Sequence, residues 1–73
     1  MTTIAEVNRE LLETAQRLTA EYRLVPPGSV LRCFRRAVRE ARRRGVALGG
    51  LRETAEALTR SMLEQRLAPA RAA

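Results

Sequence analysis

Residues 24–45 read Leu-Val-Pro-Pro-Gly-Ser-Val-Leu-Arg-Cys-Phe-Arg-Arg-Ala-Val-Arg-Glu-Ala-Arg-Arg-Arg-Gly, and this stretch decides the fold. Pro26-Pro27-Gly28 interrupts the chain at one end and Gly45 punctuates it at the other. Between them Val30, Phe34, Ala37, Val38 and Ala41 recur at steps of three and four, with Leu31 at the edge, which is the signature of one helix face. Arg32, Arg35, Arg36, Arg39, Arg42 and Arg43 fall on the opposite side, within an arc of about 120° at 100° per residue. Ser29 is the expected N-cap and Gly45 the expected C′ residue. A helix with so sharp a division needs apolar partners, and the flanking segments supply them.

Upstream, Ile4, Val7, Leu11, Ala15, Leu18 and Tyr22 make one stripe, which predicts a helix over 4–23. Thr3 and Glu6 have the spacing of a capping box. Glu13 and Arg17 stand four apart, in the order that favours a surface ion pair. Downstream, Leu51, Ala55, Leu58 and Met62 predict a third helix over 51–67, with Glu53 in its dipole-favoured first turn. Gly49-Gly50 reads as the turn before it, and Pro69 as its stop. The expectation is an all-α three-helix bundle: one domain over 1–68 with helices at 4–23, 29–44 and 51–67, and a short tail at 69–73.

The chain has 73 residues, with one cysteine and no histidine. A domain of this size buries only about 60% of the surface its unfolded chain exposes, so packing must be efficient or shared with another chain. One cysteine cannot form an internal disulfide, and the ligand set for a structural zinc is missing. All 14 basic residues are Arg and all 8 acidic residues are Glu. Between Val30 and Arg44 lie seven arginines against Glu40 alone; elsewhere arginines and glutamates balance, so the second helix carries the whole net charge of +6. The first segment carries Glu6, Arg9 and Glu10 and does not resemble a secretory signal; no apolar run approaches the length of a membrane span. A cytoplasmic setting is expected.

For catalysis the inventory is poor. There is no His, Asp or Lys and no Gly-rich phosphate loop after a strand, so no catalytic, cofactor-binding or metal-ligating residue is expected, and no cofactor. Cys33, beside Arg32, Arg35 and Arg36, reads as a small half-buried side chain, because no base or second cysteine accompanies it. The valines and Phe34 opposite the arginines read as bundle core rather than as a membrane-surface face.

Two function classes remain. Leu12, Leu63 and Leu67 lie off the stripes, as do Leu24 and Val25 by the first turn, and they cannot all reach one three-helix core. Leu12, Leu63 and Leu67 are the expected interface of a homodimer. The alternative is a small nucleic-acid-binding accessory protein that contacts phosphates through Arg32, Arg35, Arg36, Arg39, Arg42 and Arg43. With no aromatic residues among the arginines, such contact would be salt-sensitive and weakly selective for sequence. An acidic protein partner is a third possibility on the same charge. Both side-by-side docking and helix exchange remain open for the dimer.

The run from Tyr22 to Val30, then Phe34, Val38 and a third helix ending Glu64-Gln-Arg-Leu67, resembles a group of small actinobacterial three-helix-bundle dimerisation domains. The shared pattern is an aromatic residue closing helix one, a proline pair, and valines at i and i+8 opening helix two. It covers residues 7–67. The resemblance implies homodimerisation and carries over no catalytic residue; the dense arginine stripe is where this chain departs from the group.

Overall fold

A computed structural model describes residues 2–72, with side chains over 2–68. The chain forms three helices and, among the described residues, no strand: α1 (Ile4–Glu21), α2 (Pro27–Arg43) and α3 (Leu48–Ala72). All-α is the fold class. α2 and α3 pack more extensively on each other than either does on α1.

The helix ends follow from local chemistry. Thr3 caps α1, its hydroxyl accepting from the Glu6 N–H at 3.1 Å. α2 starts two residues before the expected Ser29. Its N-cap is Pro26, and Pro27 occupies the first helical position, where a missing N–H costs nothing and the fixed φ already suits a helix. The Ser29 and Val30 N–H groups donate to the Pro26 carbonyl at 2.9 and 3.2 Å, which leaves Ser29 buried inside the first turn. At the other end Gly45 has φ +79°. Its N–H donates to the Arg42 carbonyl at 3.0 Å, and the Val46 N–H donates to the Ala41 carbonyl at 3.1 Å. These two bonds are a Schellman closure with Gly45 at C′.

Because that closure completes the chain reversal, Gly49-Gly50 is not a turn. Both glycines lie in the first turn of α3, at negative φ, and a Cβ at either would meet only ordinary contacts. Pro69 does not stop α3, which runs on to Ala72. It removes one backbone donor close to the helix end, where little helix remains to be disrupted. The expected boundaries of 51–67 and a tail from 69 are corrected accordingly.

The core centres on Ala15, Leu18, Val25, Val30, Phe34, Ala37, Ala55 and Leu63. A second group, Val7, Ala41 and Leu51, closes the end near the α2–α3 turn, with Val46 packed against it. Three expectations change here. Leu63 is wholly buried, so it belongs to the core and not to a surface. Val25 is also in the core, while Leu67 is half-buried against it. The buried line of α3 is Leu51, Ala55, Thr59 and Leu63, with Leu58 and Met62 at its margin. An i, i+4 row runs obliquely to the helix axis, so this line follows helices that cross α3 at an angle. Thr59 is tolerated within it because its hydroxyl donates to the Ala55 carbonyl at 2.7 Å.

Leu63→Ala should lower stability by about 2–5 kcal/mol, the usual cost of a buried cavity, read from the urea midpoint. Gly45→Ala should cost about 1 kcal/mol, since an L side chain is strained at positive φ. Gly49→Ala should leave stability unchanged or raise it by about 0.5 kcal/mol.

Candidate functional site

Two groups of charged side chains stand out. One is a clasp between α1 and α3. Glu56, whose side chain is 18% exposed, receives Arg17 from α1 at 2.8 Å. Arg52 and Arg60, one turn away on either side along α3, each reach it at 3.0 Å. Arg60 also reaches Glu21 of α1 at 2.7 Å. Beside it the Tyr22 hydroxyl donates to Glu64 at 3.2 Å. The ion pair of Arg17 is thus with Glu56, not with the expected Glu13 on its own helix.

This clasp holds its acids ionised. The Arg60 hydrogen bond holds the Glu21 carboxyl below the ordinary value of 4.5. For Glu56 partial burial works the other way, but the Arg60 hydrogen bond and the charges of Arg17, Arg60 and Arg52 outweigh it and the value is lowered. The two carboxylates in turn raise the Arg60 guanidinium, which stays charged throughout.

The second group is the arginine face of α2. Arg32, Arg35, Arg36, Arg39, Arg42 and Arg43 are all exposed, so the structure brings the six predicted residues onto one surface. Glu40 is the acid on this helix, and it is directed to the end of the row, 3.2 Å from Arg44 and 3.8 Å from Arg43. Among the described residues no carboxylate lies in ion-pair range of Arg35, Arg36 or Arg39.

Two grooves flank this face. Where α2 meets the far half of α3, a groove of about 420 Å³ is lined by Ser29, Arg32, Cys33, Arg35, Arg36, Arg39 and Arg66. Arg32 is steadied there by a hydrogen bond to the Ser29 hydroxyl at 3.3 Å. Arg66 was not among the predicted residues. The antiparallel turn at Gly45 brings the end of α3 beside the start of α2, and only that packing places Arg66 here. On the other side, between α1 and α2, a groove of about 450 Å³ is lined chiefly by Leu11, Leu12, Ala15, Leu31, Phe34 and Val38, with Arg35 and Arg39 at its rim. Leu12 is 60% and Leu31 42% exposed. Of the three expected interface leucines, Leu12 lines this groove, Leu67 lines a third groove of about 300 Å³ beside Tyr22 and the exposed Leu24, and Leu63 is buried.

Among the described residues no group of acids and Cys33 is placed to hold a metal ion, and no helix is long and apolar enough to cross a membrane. In comparison with known proteins the chain matches no family model, no curated protein and no solved structure.

The clasp makes stability pH-dependent in one direction. Glu21 and Glu56 have folded values below 4.5, so their contribution is complete above 4.5 and is lost as pH falls through the lowered values. Urea midpoints taken from about pH 6 down to about pH 3 should fall, and Glu56→Gln should flatten part of that fall while costing about 1 kcal/mol at neutral pH.

Proposed function

We propose that this protein is a non-enzymatic interaction module that pairs with a second copy of itself through the α1/α2 groove. The observation that carries this reading is the apolar groove with Leu12 and Leu31 standing exposed beside it. A small domain with an open apolar groove gains stability by covering it, and an identical subunit is the commonest partner. α1 and α2 both contribute, so a twofold arrangement would set Leu12 of each copy against the groove of the other. The resemblance of residues 7–67 to actinobacterial dimerisation domains points the same way. A single cysteine and no histidine support a binding role over a catalytic one.

Leu63 drops out of this interface because it fills the core, and Leu67 lines a different groove, between α1 and the far half of α3. Leu31 takes their place. Sedimentation equilibrium over a concentration series should give twice the chain mass at low and at high salt, because apolar burial is little screened. Replacing both Leu12 and Leu31 with Glu should shift the population to monomer with helicity intact, since both side chains are exposed. A wild-type monomer, or a dimer indifferent to this double substitution, would overturn the reading.

A further inference from the structure

We infer that the groove between α2 and α3 binds the phosphate backbone of a nucleic acid strand without reading its bases. The site adjoins the dimer groove and shares Arg35 and Arg39 with its rim, while Arg32, Arg36, Cys33 and Arg66 line this groove and not the other.

Five guanidinium groups converge there from two helices: Arg32, Arg35, Arg36 and Arg39 from α2, and Arg66 from α3. Among the described residues no carboxylate lines the groove. The acids that could have neutralised it are committed elsewhere: Glu21 and Glu56 to the α1–α3 clasp, Glu40 to Arg43 and Arg44. Like charges gathered without counter-charge raise each other's energy, and an anionic ligand relieves that repulsion. Arginine also matches phosphate geometry, because its planar fork donates two parallel hydrogen bonds to one phosphate.

Shape selects among anions. Arg32 to Arg39 covers about 10.5 Å along the α2 axis at 1.5 Å per residue. That length spans about three nucleotides at 3.4 Å per residue of one strand. The groove is partly open to solvent and its arginines lie in a row along α2, which suits a linear ligand. An acidic protein would need apolar anchors to fill pockets, and among the described residues this groove offers only Ser29 and the half-buried Cys33 between its arginines. Among the described residues no aromatic side chain lines it, so bases have nothing to stack on and contact is confined to the backbone.

The test uses the full chain and a short fluorescent single-stranded oligonucleotide followed by anisotropy. Binding should appear at about 50 mM salt and weaken steeply towards 200 mM, with a log–log slope of about −3 for about four phosphates. Cys33 lines the groove and is the one thiol in the chain. Its alkylation should therefore slow several-fold when the oligonucleotide is bound. Replacing Arg36 and Arg66 together with Gln should reduce affinity by about tenfold or more and make the slope shallower by about 1. Replacing Arg9 and Arg23 with Gln removes the same charge away from the groove and should change affinity less than about twofold. A Leu12→Gln, Leu31→Gln variant, which adds no charge beside Arg35, should still bind and protect Cys33, which separates this site from the dimer reading. The inference is overturned by no binding at low salt, by unprotected Cys33 in the bound state, or by equal losses in the two arginine pairs. Polyglutamate displacing the oligonucleotide at matched charge would also overturn it, assigning the groove to an acidic protein instead.

Discussion

The burial of the apolar side of α2 is the constraint on which the rest of the structure depends. Val30, Ala37 and Ala41 are wholly excluded from solvent and Phe34 nearly so. Ala37 and Ala41 are small, as is Ala55 on α3, and small residues at a contact let helix axes approach closely. Once this side is turned inward the arginines can only face out, because they occupy the remaining arc. The same rotation places Leu31 and Val38 towards α1 and Cys33 and Ser29 towards α3, so both grooves have α2 as a wall.

Charge follows a second logic that reinforces the first. α1 and α3 carry acids and bases in near balance, and they spend them on each other through Glu56, Glu21, Arg17 and Arg60. Exposed ion pairs are each worth little, yet a connected set around one half-buried carboxylate ties two helices that share few other contacts. Its consequence for function is indirect. Acids engaged in the clasp are not available to quench α2, and the basic face remains open to an outside anion. Folding and the proposed backbone binding thus use different arginines of the same chain.

The helical pattern was legible because its periodicity is regular, and the boundaries were legible where one residue type has one physical solution. Gly45 is such a case, since positive φ at a helix C′ favours glycine. Thr3 is another, with its hydroxyl three residues before Glu6. Where a residue has two solutions the reading slipped. Ser29 is a good N-cap, but Pro27 is a good first helical residue and prevailed two positions earlier. Gly49-Gly50 suits a turn, yet the turn was already closed by Gly45. Arg17 had an acid four residues away on its own helix and a better-shielded one at Glu56 across the bundle.

From sequence alone follow the number of helices, the inward side of α2 and the concentration of charge on its outer side, because these depend on spacing within one helix. Which off-stripe leucine is core and which is surface depends on how helices cross. Leu63 joins the core and Leu12 does not, since the buried line of α3 runs along an oblique i, i+4 row. The entry of Arg66 into the basic groove and of Glu56 into the clasp has the same origin. Both are contacts between residues far apart in the chain, and only the packing of one helix against another sets their distance.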